Sequence, residues 1–133
     1  MTHDLRRPHD PRLDEFRAII ADATDALPGA QRDSTNMYLD TNEHAQGELV
    51  GPAPQNIRAK HTALVVFVDE NPLANFAHEC RYRFYDRATQ RFLYEIPAQF
   101  PPWVNYVPKS YFAIYGTVGR DVRDAQRGER HDG

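Results

Sequence analysis

The chain predicts an α+β domain: one N-terminal helix packed on a mostly antiparallel sheet of about four strands. Three observations carry that expectation. Residues 62–68 are apolar on both alternating sets, Ala63, Val65 and Phe67 against Leu64, Val66 and Val68, which marks a central strand covered on two faces. Residues 69–79 contain Asn71-Pro72 and are too few to hold a crossover helix, so the next strand returns antiparallel. Leu13, Phe16, Ile20, Ala23 and Leu27 recur at helical spacing ahead of Pro28-Gly29, a stop signal.

In order, residues 1–9 read as a disordered arm, residues 10–118 as a single α+β domain, and residues 119–133 as a disordered charged tail with almost no apolar content. Asp10 suits a helix cap, Pro11 the first helical position, and Asp14 and Glu15 the first turn. Residues 30–60 are irregular, with Gly47, Gly51, Pro52 and Pro54 and one short candidate strand at 36–39, and read equally as a flap, a binding loop or a disordered stretch.

The return strand near residues 80–85 and a further strand near 91–96 form a hairpin whose register follows from side-chain parity. A four-residue loop would set Tyr82 against Glu95 and Arg83 against Tyr94, mixing polar and apolar on each face. A five-residue loop at 86–90 instead sets Cys80, Tyr82 and Phe84 opposite Ile96, Tyr94 and Phe92, with Arg81 opposite Glu95 and Tyr85 opposite Arg91 on a solvated face. Residues 100–108 are rich in proline and are expected to be an extended cover, because proline cannot donate within a central ladder. Residues 111–118 read as the last strand.

At 133 residues, 41% apolar, with a mean hydropathy of −0.71, the chain supports one modest core. A formal charge of −3 disfavours a general nucleic-acid or acidic-membrane binder, and a lone cysteine leaves no internal disulfide and no cysteine-based zinc site. The N-terminus has no apolar segment behind its arginines and no run is long enough to span a bilayer, so the expected compartment is the cytoplasm. Phosphate-binding glycine loops, nucleophile elbows and paired-cysteine motifs are absent from the sequence.

Two groups of residues stand out as candidate sites. Antiparallel return brings Asp69 and Glu70 near His78, Glu79 and Cys80, the one cluster of acid, base and nucleophile types in the core region and the basis for a small hydrolase or metal-dependent enzyme. His78, Glu79 and Asp69 are the weak metal candidates there, with His44 as an outside ligand, although no recognised ligand spacing is present and no metal or other cofactor is expected. His61 sits at the far end of the paired strands from Cys80, about 25 Å away by strand rise, and cannot serve it as a base.

The second group is aromatic. Thirteen of the fifteen aromatics lie between Phe67 and Tyr115, more than a small sheet buries within itself. The leading expectation is therefore a non-catalytic module that engages another protein or its own copy through Trp103, Tyr106, Phe100, Tyr111 and Arg83. Arg81, Arg83, Tyr85, Arg87 and Arg91, on the expected solvated face, supply a third reading, arginine-mediated binding of RNA or single-stranded DNA, which ranks last because of the acidic balance.

Overall fold

The computed structural model describes residues 11–73, 77–104 and 106–116. A 3-10 turn, Pro11–Phe16, runs into helix α1, Arg17–Asp25, and five strands follow: β1, Asn36–His44; β2, Ala63–Asp69; β3, Cys80–Asp86; β4, Phe92–Ala98; and β5, Tyr111–Tyr115. They form one antiparallel sheet in the order β4-β3-β2-β1-β5. The expected antiparallel sheet under one N-terminal helix is present, with β1 supplying a fifth strand. All seven residues of β2 are buried, as its two apolar faces require.

The covering helix meets the sheet through Phe16, Ile19, Ala23 and Leu27, while Leu13 and Ile20 are only partly buried. The inward position is thus Ile19 rather than the expected Ile20. The reason is the 3-10 start: a period of three residues eclipses Leu13, Phe16 and Ile19, and the face shifts to a spacing of four only after Ile19. Beneath it lie Met37, Leu39, Leu64, Val66, Val68, Tyr85 and Ile114. Asp10, the expected cap, lies outside the described residues, as do 1–9 and 117–133.

Among the described residues the opposite face carries no α-helix. It is covered by two irregular segments, 45–60 and 99–108, which seal Tyr38, Phe67, Tyr82 and Phe84 beneath Val50, Ile57 and Val107. Residues 45–60 fold as a flap: Gly47 and Val50 N–H donate to Ala59 and Ile57 C=O at 2.7 Å each, and Ala59 N–H donates back to Glu48 C=O at 3.0 Å. A β-carbon added at Gly51, whose φ is +86°, would stand 2.9 Å from Pro102 Cα, so glycine is what lets the flap and the 99–108 segment touch.

The β3–β4 hairpin corrects the expected register. Asp86 N–H donates to Arg91 C=O, leaving the four-residue loop 87–90, and Gln90 takes a left-handed φ of +63°. The ladder then slips: Tyr85 faces Phe92, but Phe84 faces Tyr94, Arg83 faces Glu95 and Tyr82 faces Ile96, so Leu93 is an inserted residue. A four-residue loop would mix the faces in a regular ladder. The bulge restores parity two residues later, and it sends Phe92 to the helix side beside Tyr85, at 5.7 Å between ring centroids.

Candidate functional site

At the β2–β3 turn, the expected cluster assembles only in part. Asp69 and Cys80 are directly paired across the strands. Asp69 is buried, and its Oδ1 accepts from Asn71 N–H at 3.1 Å and from His78 Nε2 at 2.9 Å. Glu70 turns instead to Arg81, with Oε2 3.3 Å from Nε, and Glu79 is exposed. Asp69 is therefore not a solvated loop residue, whereas the remaining carboxylates diverge from the His78–Asp69 pair.

Cys80 is buried, and its thiol donates to the Phe100 carbonyl at 3.5 Å. Burial, with the nearby charges of Asp69 and Glu70 adding to it, pushes the thiol pKa up to about 12. A cysteine in that setting stays protonated at neutral pH and is a poor nucleophile. Among the described residues no group of three or more His, Cys, Asp or Glu side chains is arranged to hold a metal ion.

A second histidine–carboxylate arrangement lies where β1 enters the flap. His44 Nε2 is 2.7 Å from Asp40 Oδ2, and His44 Nδ1 is 2.8 Å from Glu48 Oε2. Asp40 Oδ1 also accepts from Asn42 N–H at 2.9 Å. Burial disfavours the imidazolium, but the hydrogen bond and charge of Asp40, followed by those of Glu48, outweigh it and raise the His44 pKa. With each ring nitrogen engaged by a different carboxylate, the two acids stand on opposite sides of the imidazole and cannot share one ion with it. Burial together with Asp40 likewise raises the Tyr111 pKa.

Comparison with protein-family models, curated proteins and solved structures finds no match. The chemistry has to be read from this chain's own residues. Of the expected aromatic anchors, Trp103 is half-buried and meets Phe67, Tyr38 and Tyr111 edge-on at 5.1, 5.2 and 5.2 Å between centroids. It closes the loop-covered core, and Tyr111 is held beneath it. Phe100, Val104 and Tyr106 are the outward residues of the same segment, 48%, 68% and 53% exposed.

Arg83 is a correction. Its face was expected to be solvated, yet it lies under α1, and Arg83 is only 8% exposed. Nη2 pairs with Asp22 Oδ2 at 3.0 Å, Nη1 with Glu95 Oε2 at 2.9 Å, and Nε donates to the Tyr85 hydroxyl at 3.0 Å. The guanidinium also lies 4.2 Å from the Phe92 ring centroid. Tyr85, expected opposite Arg91 in solvent, is fully buried, and Arg81 is spread between Glu70 and Glu95. Of this row, Arg83 and Tyr85 clasp the helix to the sheet through Asp22.

What sequence reasoning missed is the Asp40–His44–Glu48 network. The candidate strand at 36–39 stops short of both Asp40 and His44, and nothing in the polar run Asp40-Thr41-Asn42-Glu43 signals that Asp40 is buried. Among the described residues no helix is long and apolar enough to cross a membrane.

Proposed function

We propose that this domain is a non-catalytic module that binds another protein through the exposed rim of its 99–108 segment. The observation that carries the reading is Phe100, Val104 and Tyr106 standing 48%, 68% and 53% exposed on a segment whose Val107 is buried at 4%. The segment that seals the aromatic core therefore presents large apolar side chains outward, the composition favoured at the centre of protein interfaces. Its start is anchored: Gln55 Oε1 accepts from Gln99 and Phe100 N–H at 3.1 and 2.9 Å, and Gln55 Nε2 and the Tyr82 hydroxyl donate to Phe100 C=O at 3.2 and 2.7 Å. Phe100, anchored in this way, loses little backbone freedom on binding.

The Cys80 site supports the same reading: its thiol donates to a backbone carbonyl and its pKa is pushed up to about 12, so it stays protonated at neutral pH. The test is partner recovery on immobilised full-length chain, comparing wild type with the double variant Phe100→Ser, Tyr106→Ser. A protein retained by the wild type and lost by an equally stable variant is the expected result. Equal recovery by both would sink the rim as a binding surface.

A further inference from the structure

At its entry the flap is tied to β1 through a side chain that can lose a proton. His44 Nε2 lies 2.7 Å from Asp40 Oδ2, and His44 Nδ1 lies 2.8 Å from Glu48 Oε2. An ionised carboxylate only accepts, so both contacts are hydrogen bonds together only when both ring nitrogens carry protons. The neutral ring must leave one nitrogen lone pair facing a carboxylate. The two acids are not equivalent. The Asp40 side chain is 4% exposed and the Glu48 side chain 44%, so Asp40 is nearly shut off from water that could replace the ring, whereas Glu48 is not. Glu48 also holds the first turn of the flap, its Oε1 accepting from Ala45 N–H at 3.0 Å.

We propose that His44 is a proton-controlled latch on the flap: with both ring nitrogens protonated it ties β1 to Glu48, and loss of the Nδ1 proton frees residues 45–48. The proton leaves to solvent, the ring stays on Asp40 through Nε2–H, and Glu48 turns to water, giving up Ala45 N–H as it goes. Farther along, the flap stays down, because Val50 N–H donates to Ile57 C=O at 2.7 Å and Phe100 N–H donates to Gln55 Oε1 at 2.9 Å, contacts that do not involve His44. Around the ring stand Asp40 from β1, Glu48 from the flap and Ala63 from β2, while Tyr111 of β5, kept neutral by burial and by Asp40, lies in the field of both carboxylates. On the return strand of the flap Arg58 is bonded to Gly47 C=O, and the neighbouring Glu43 is taken by Arg87. Burial opposes a charge on His44, yet Asp40 and then Glu48 outweigh it, in agreement with the doubly protonated ring that this geometry fits. The latch therefore holds in mildly acidic solution and opens as pH rises through the folded pKa of His44. It is independent of the Phe100–Tyr106 rim.

NMR on the full chain from about pH 6 to about pH 9 tests the proposal, a window in which histidine titrates and carboxylates stay ionised. Gly47 N–H donates to Ala59 C=O and Ala59 N–H to Glu48 C=O, so these two amides report on the flap entry. Their protection against solvent exchange, corrected for the intrinsic pH dependence, is expected to fall about tenfold or more across the window. Val50 and Phe100 should keep theirs. The ring nitrogen shifts of His44 should show the neutral form protonated at Nε2. Glu48→Gln, a change at a half-exposed side chain, is expected to abolish the step, since its amide can donate to the bare Nδ1. No step at Gly47 and Ala59, an equal step at Val50 and Phe100, or a step unchanged in Glu48→Gln each overturns the proposal. So does a neutral ring protonated at Nδ1, which is read on the wild type and needs no variant to fold.

Discussion

The two faces of the sheet solve the same problem with different materials. On one, α1 covers aliphatic residues and needs little from the sheet, because a helix satisfies most of its own backbone. On the other, segments 45–60 and 99–108 have no such economy, so their backbone groups must find partners individually. Gln55 takes three of them, the Tyr82 hydroxyl shares the Phe100 carbonyl, and the Tyr94 hydroxyl accepts Lys60 N–H at 2.7 Å. This is why the loop-covered core is aromatic with polar tips: tyrosine fills volume and terminates in a donor or acceptor. The contrast also teaches where variation is tolerated. The helix face is fixed by shape, whereas the loop face keeps outward side chains that packing does not specify.

The sharpest way to break that contrast is inside the 99–108 segment itself. Trp103→Ala should cost about 3 kcal/mol or more in urea unfolding, because it empties the space between Tyr38, Phe67 and Tyr111. Tyr106→Ala, a few residues away, should stay within about 0.5 kcal/mol. Equal effects would mean that the segment does not divide into a core side and a rim side. On the helix face, Arg83→Met should cost about 1–3 kcal/mol, since it strips the buried Tyr85 hydroxyl and Glu95 of a donor while Asp22, half-exposed, recovers water. A stability unchanged by Arg83→Met would mean that the clasp contributes only packing.

The smallest expected effect is on the loop face and depends on pH. His44 has a folded pKa above its ordinary 6.5, with Asp40 and Glu48 outweighing the cost of burial. A raised folded pKa means that the stabilisation is fully present below the unfolded value and is lost as pH rises through the folded one. The wild type should therefore lose stability on going from slightly acidic to mildly alkaline pH, and His44→Gln should flatten that slope. Parallel melting curves against pH for the two proteins would remove His44 as the cause.

Much of the architecture was legible because it is periodic. Two apolar alternations across residues 62–68 can satisfy only a central strand, and the short connection after it forces an antiparallel return. β1 was legible only at its start, since Asp40 to Glu43 carry no alternation that a strand would display. The hairpin shows the limit more finely: parity correctly grouped Cys80, Tyr82 and Phe84 with Tyr94 and Ile96, yet it could not reveal a four-residue loop repaired by an inserted Leu93. A bulge changes which residues meet without changing which residues are apolar.

The candidate site divides along the same line. The meeting of Asp69 with His78 followed from topology and could be read ahead, as could the inward direction of Cys80. Whether the Arg81-Arg83-Tyr85 face met water or a helix was decided by α1, whose Asp22 lies some sixty residues away in the chain and supplies the partner that makes a buried guanidinium tolerable. By itself the sequence determined the alternation of side chains, the central strand and the antiparallel returns after β2 and β3, because these depend on local period and chain length. Only the tertiary structure decided which covering segment lies on which face, and with it which polar residues are buried, because burial depends on a partner that local pattern does not encode.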